Sequence, residues 1–369
     1  MKIILSSLAI LMMNTAAADF QYYRPVRLDC QSTGRILTAI REFSLQGKKQ
    51  YLLVNPDTLE TQIKSASSLR CTAHRSGEST YLRAVEKMTR NSRAVDGNHG
   101  LKQFSPRCAP GTVLTIDMCP TSKPYDADYF QAIAKMVQKS STPVAITIAV
   151  TGKRMADRPQ EMSDIKRILG PLERQGRLKI TWANHSHSHP YKHGESYYKT
   201  FLTGVGEREF TENEVLGTEK AMIQNGLTPS VFFRFPGLMS TPGQIQKLGQ
   251  LGLIPLGTTA WLAMHGSQSK YHKIYHLKSD QGAEPGRIVL THGNGMERVG
   301  VDMAKTYLHS PHRLLPLEQA AACEAGTATV VKDQARTQPT APEPTPTASS
   351  TTRRRPLGTG GFFLPGVTR

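Results

Sequence analysis

Leu178-Lys-Ile-Thr-Trp-Ala-Asn-His185-Ser-His-Ser-His189-Pro190 joins a strand-like run, Leu178 to Trp182, to a histidine cluster. Neutral imidazole is the commonest side-chain ligand for zinc and related ions. His185 and His189 stand four apart, so both rings can reach one ion from a single turn of backbone. A lone histidine is more often a loop cap or the partner of a buried carbonyl. Three alternating with serines directly after a strand point instead to a metal site. His187 is expected to point away from its two neighbours, because a compact turn breaks the alternation of extended backbone.

On the N-terminal side of this stretch, Val113 to Ile116 and Val144 to Val150 read as strands. Between them Asp126 to Lys139 places Phe130, Ile133, Met136 and Val137 on one helical face, and Asp164 to Gln175 is a second helix. On the C-terminal side a helix over Glu212 to Asn225 ends at Gly226, followed by the strand Val231 to Phe233. A helix over Gln244 to Leu251, a strand over Leu253 to Leu256, a weaker run Lys273 to Leu277 and a last strand, Arg287 to Leu290, complete the series. Strands alternating with crossover helices predict an α/β fold, a distorted (β/α) barrel of about seven parallel strands.

Around that barrel, expected over residues 106–323, the chain divides further. Met1-Lys2, the apolar run Ile3 to Met13 and Ala16-Ala17-Ala18 read as a signal peptide over residues 1–18. That run is too short to span a bilayer and no later stretch is long and apolar enough, so no transmembrane segment is expected and the product should be secreted or periplasmic. Residues 19–105 read as a small α+β N-terminal module, with a strand Tyr51 to Val54 ending at Asn55-Pro56-Asp57 and helical spacing of Leu82, Val85 and Met88. Residues 324–369 are rich in proline and threonine, carry Arg353-Arg-Arg355 and read as a disordered tail.

All five cysteines lie beyond the signal, in a compartment where disulfides persist. Cys30 and Cys71 flank one region of the module and are expected to join; Cys108 and Cys323 bracket the main fold and could tie its ends. Cys119 is then the odd one, although sequence alone does not determine connectivity. A formal net charge of +17 implies attraction to polyanions such as wall polymers or acidic polysaccharide. Nucleic acid is not the expected partner: no helix-turn-helix, zinc-finger or aromatic RNA-binding pattern occurs, and the basic residues are scattered.

Four polar residues fall at equivalent places: Asp117 after the first strand, His185 after the third, Arg234 after the fourth and His292 after the last. In a barrel of this kind, such residues meet at the mouth formed by the strands' carboxyl ends. The motif order resembles the polysaccharide deacetylases of carbohydrate esterase family four, the chitooligosaccharide-deacetylase homology domain, over about residues 111–310. The resemblance is carried by Thr115-Ile116-Asp117-Met118, His185-Ser-His-Ser-His189, Arg234-Phe235-Pro236, Thr258-Thr259-Ala260-Trp261 and Leu290-Thr291-His292.

The resemblance implies a secreted, metal-dependent deacetylase that removes N-acetyl groups from an amino-sugar polysaccharide, peptidoglycan or chitin-like. His185 and His189 would hold a divalent ion, Zn²⁺ or a similar metal. Asp117 would be the base, His292 would protonate the leaving amine and Arg234 would keep Asp117 placed and ionised. Trp261, Phe235 and Pro236 would meet the sugar. Two departures bear on the metal. Met118 stands where the family has its second aspartate, and Gly257 to Ala260 replace acidic residues of the fourth motif; thioether and hydroxyl are poor substitutes for a carboxylate on such an ion. Three outcomes remain open: Asp117 turns to ligate the ion, Cys119 or His187 supplies the third ligand, or the chain is a catalytically inactive glycan-binding relative. A metal hydrolase acting on a non-sugar amide is a further class.

Overall fold

The computed structural model describes residues 20–74, 77–90, 96–262, 284–295 and 313–326, with isolated positions between 302 and 309. These belong to one compact unit, Met1–Val330; a second unit, Val331–Arg369, lies outside the described residues. The signal-peptide stretch, the Lys273 to Leu277 run and nearly all of the proline- and threonine-rich tail also lie outside them.

Strands β1 (Phe20–Ser32), β2 (Arg35–Leu45), β3 (Lys48–Val54), β4 (Thr61–Ser65) and β5 (Arg70–Ala73) form an antiparallel sheet in the order β4-β3-β2-β1-β5. Cys30 and Cys71 face each other in the β1/β5 register and are disulfide-bonded. The helix Thr80–Thr89 follows, its first turn capped by Ser79, whose Oγ accepts from the Leu82 N–H at 3.2 Å. Ile40, Phe43, Leu52, Tyr81 and Val85 of this region share one apolar cluster with Val231, Phe232 and Ile254 of the barrel. A buried ion pair adds to that contact, with Arg41 Nε donating to Glu219 Oε2 at 2.7 Å.

Strand β6 (Asp96–Gly97) pairs with β11 (Met239–Ser240) beside the main sheet. That sheet comprises β7 (Val113–Met118), β8 (Val144–Val150), β9 (Leu178–Asn184), β10 (Pro229–Phe233), β12 (Ile254–Pro255), β13 (Ala260–Trp261) and β14 (Ile288–His292), in the order β12-β10-β9-β8-β7-β14-β13. Every pairing in it is parallel, making a curled sheet of seven strands and a distorted (β/α) barrel. Every residue of β7 and β8 is buried. Parallel strands are covered on both faces, which is why they appear in sequence as mainly apolar runs without a polar face. Helix Ala127–Lys139 covers the sheet with Phe130, Ile133 and Val137, and helix Pro159–Arg174 with Met162, Ile165 and Leu169.

Among the described residues the seventh strand is the two-residue β13, where the sequence had marked only a motif. Helix Pro159–Arg174 begins five residues earlier than its pattern suggests, with Pro159 in the first turn, where a missing N–H costs nothing. Cys108 and Cys323 are disulfide-bonded and join segments 215 residues apart; Cys119 is free. Among the described residues no helix is long and apolar enough to cross a membrane.

Candidate active site

The mouth at the carboxyl ends of the strands is assembled from β7 outward. Leu114, Ile116 and Met118 all lie in the core cluster shared with the covering helices. Alternation along a strand sends Thr115, Asp117 and Cys119 to the other face. Met118 is therefore fully buried packing against the helix layer. The β7/β14 register sets His292 directly beside Asp117.

Asp117 is 97 % buried, being only 3 % exposed. Its Oδ2 lies 3.6 Å from His185 Nε2 and 3.8 Å from Arg234 Nη1, while Oδ1 is buried with no hydrogen-bond partner among the described residues. Burial pushes the Asp117 carboxyl up, but the Arg234 guanidinium and then the surrounding imidazoles more than offset this and hold it below the usual carboxylate range. Arg234 is completely buried; its Nη2 donates to Thr115 Oγ1 at 2.9 Å, whereas among the described residues Nε and Nη1 have no hydrogen-bond partner.

His185 Nδ1 lies 2.8 Å from the Arg234 carbonyl oxygen. A carbonyl can only accept, so Nδ1 carries the proton and Nε2 presents its lone pair to the mouth, the arrangement of a metal-ligating histidine. Burial lowers the His185 pKa, against the opposing pull of Asp117 and of the Arg234 carbonyl, and so favours the neutral ring. His185 Nε2 is 3.4 Å from Cys119 Sγ.

The following turn passes through left-handed backbone at Ser186 (φ 67°) and His189 (φ 46°), which brings the His189 ring to 4.9 Å from that of His185, centroid to centroid. Such a conformation costs of order 1 kcal/mol or more per residue and requires support. Glu214 provides it: Oε2 accepts from the N–H groups of His187 and Ser188 at 2.9 Å each, and Oε1 accepts from Ser188 Oγ at 2.6 Å. Asn184 Oδ1 accepts from the Ser186 N–H at 2.9 Å, and its amide donates to the Val215 carbonyl at 2.9 Å. Glu214 and Val215 belong to a π-helical stretch, Phe210–Gly217, which opens the helix read from sequence as Glu212 to Asn225. Wide turns of this kind often occur at functional sites.

His187 leaves the cluster, as expected of a compact turn that breaks the alternation. Its ring packs on Gly152, where a Cβ would stand 2.0 Å from Nδ1, so only glycine fits there. Cys119 remains. Burial raises its thiol pKa, but His189 and His292 outweigh that effect and bring it down to about 7.

A cavity of about 280 Å³ opens over these groups, lined by Asp117, Cys119, His185, His189 and His292. Its apolar wall is formed by Tyr191, Phe201, Phe235, Leu238, Trp261 and Leu290. Trp261 lies beside His292, ring centroids 6.2 Å apart. Pro236 is buried in the adjoining turn and is not among the lining residues. A larger polar groove of about 800 Å³ between the N-terminal sheet and β9 contains none of the site residues.

The donor set suits a divalent ion. One atom each from Cys119, His185 and His189 lie within 4.8 Å of one another. A tetrahedral ion with bonds of about 2.0–2.3 Å sets its ligand atoms about 3.5 Å apart, close to the separation between His185 and Cys119. Glu214 and Asn184 escaped sequence reasoning, because a glutamate within a helix and an asparagine at a strand end give no sign of what they hold.

Fold and site together describe a (β/α) barrel with a histidine-rich, metal-type mouth. A family model described as the RP012 protein N-terminal domain matches residues 21–88, the N-terminal sheet and its helix. Among solved structures, the chain is similar to a peptidoglycan N-acetylglucosamine deacetylase at 17 % identity, covering 59 % of this chain and 91 % of that one, with a TM-score of 0.43. It is similar also to a family 4 carbohydrate esterase from Bacillus anthracis at 14 % identity, covering 67 % and 95 %, TM-score 0.43. A pseudoenzyme of the same esterase family, again from Bacillus anthracis, is similar at 14 % identity, covering 74 % and 84 %, TM-score 0.37.

Proposed function

We propose that this chain is a metal-dependent deacetylase that hydrolyses N-acetyl groups of an amino-sugar polysaccharide, peptidoglycan or chitin-like, outside the cytoplasm. The observation that supports this reading most is the convergence of Asp117, His185, His189 and His292, from three separate strands, on one cavity. Two disulfides suit an oxidising compartment. The net charge of +17 suits a polyanionic wall.

His185 and His189 would hold a divalent ion, Zn²⁺ by preference for imidazole-rich sites. Bound there, it would supply Lewis acidity to the carbonyl and to the attacking water. Asp117 accepts the proton of the attacking water, and its depressed pKa keeps it ionised for that purpose. Arg234, whose Nη1 is 3.8 Å away, holds the carboxylate in place. His292, beside Asp117 on the neighbouring strand, gives a proton to the leaving amine. Trp261 and Phe235 offer flat apolar faces to the sugar.

A second reading, an inactive glycan-binding relative, is favoured by Met118 and by the absence of acid from Gly257 to Ala260. The two are separated by incubating zinc-loaded protein with N-acetylglucosamine oligomers. Acetate and free amine should appear one for one, stop on chelation and return with zinc. Oligomer binding without acetate release from the metal-loaded protein would establish the inactive relative instead.

A further inference from the structure

We propose that Cys119 Sγ is the third protein ligand of the metal, giving a Cys-His-His set that takes over from the missing carboxylate and leaves Asp117 free as base. The inference rests on the metal-site reading above and concerns which of this chain's own side chains completes it.

The alternatives are removed by placement. Met118 faces the helix layer and is fully buried. His187 is packed against Gly152. Asp117 reaches His185 at 3.6 Å, but among the described residues it falls outside the donor group whose atoms all lie within 4.8 Å of one another. Cys119 belongs to that group, with Sγ 3.4 Å from His185 Nε2. The other four cysteines are tied up in disulfides.

The backbone around Cys119 is also held. Arg154 Nη1 donates to the Cys119 carbonyl at 3.0 Å, and Thr151 Oγ1 donates to the Met118 carbonyl at 3.2 Å. Arg154 is itself anchored by Glu161 at 2.6 Å. A second sign of a cation is the buried Asp117 Oδ1, which has no hydrogen-bond partner among the described residues and belongs to a residue lining the same cavity. On binding, the Cys119 S–H bond breaks, its proton goes to solvent and the sulfur pair forms the bond to the metal. One thiolate with two imidazoles selects zinc and softer ions over magnesium, calcium or manganese.

Cobalt(II) reports this choice directly, because a cysteine thiolate on the ion adds an intense near-ultraviolet sulfur-to-cobalt charge-transfer band that carboxylate and imidazole ligands do not produce. Apo-protein titrated with Co²⁺ should develop the band at one equivalent, and metal should protect Cys119 from iodoacetamide. Cys119→Ser should lose the band and bind metal at least about tenfold more weakly, the lower end of what even an outer-shell change costs. Cys119→Asp should bind Co²⁺ without the band. Wild-type protein that binds one Co²⁺ with no such band and an alkylatable Cys119 would overturn this inference while sparing the metal site; failure to bind Co²⁺ or Zn²⁺ at all would overturn both.

Discussion

Two buried arginine–carboxylate pairs in this molecule are built to opposite standards. In the first, which joins the N-terminal sheet to the barrel, Arg41 Nε and Nη2 donate to the two oxygens of Glu219 at 2.7 and 3.0 Å. Its Nη1 donates to the carbonyls of Ile40 and Leu251 at 2.8 Å each, and Tyr23 adds a third bond to Glu219 at 2.9 Å. In the second, at the mouth, Arg234 and Asp117 approach only to 3.8 Å, and among the described residues Asp117 Oδ1, Arg234 Nε and Arg234 Nη1 have no hydrogen-bond partner. Buried polar atoms are almost always satisfied, so unsatisfied ones within a single cluster need a reason. The first pair is closed and holds the structure together. The second is open, which fits the proposal that its groups act on something bound between them.

The comparison can be broken or sharpened at four points. At the open pair, Asp117→Asn should reduce acetate release by about 10²–10⁴-fold, the usual contribution of a general base, while zinc content measured by elemental analysis stays at that of wild type. At the closed pair, Glu219→Gln leaves Arg41 buried without its counter-charge. Denaturant unfolding should show a loss of about 3–5 kcal/mol.

Between these extremes lies Glu214, which has no place in the chemistry but holds the turn that carries His189. Glu214→Gln should weaken zinc binding by about 10–100-fold in competition with a chromophoric chelator. The smallest effect is expected at Glu318, buried next to the polar groove, where both oxygens accept from Thr181 Oγ1 at 2.9 and 3.0 Å. Burial raises its carboxyl pKa, with Lys179 opposing. The folded chain then holds this proton more tightly than the unfolded one, so stability falls as pH rises from the ordinary carboxylate range through the raised folded value. Glu318→Gln should flatten that decline when unfolding is compared at mildly acidic and mildly alkaline pH.

The two pairs also differ in how visible they are in the sequence. Asp117, His185, Arg234 and His292 each fall at or just beyond the carboxyl end of a strand, and β7 to β10 are apolar enough to be read from the chain, so the mouth could be sketched from the sequence. Arg41 and Glu219 are 178 residues apart and resemble ordinary surface charges until the sheet packs on the barrel. The two-residue strand β13 is too short for any period to register. The third donor stayed ambiguous because alternation predicts the face of Met118 and Cys119 only once the end of β7 is known.

The most direct test sets the two pairs side by side by measuring the unfolding free energies of metal-free Asp117→Asn and Glu219→Gln in one buffer. Both variants leave a buried arginine without its counter-charge, but Glu219→Gln also forfeits direct charge-assisted hydrogen bonds worth about 1.5–3 kcal/mol each, so it should be clearly the less stable of the two. Equal losses, or a larger one for Asp117→Asn, would mean that the mouth pair holds the fold as firmly as the other and that its open geometry is not reserved for chemistry.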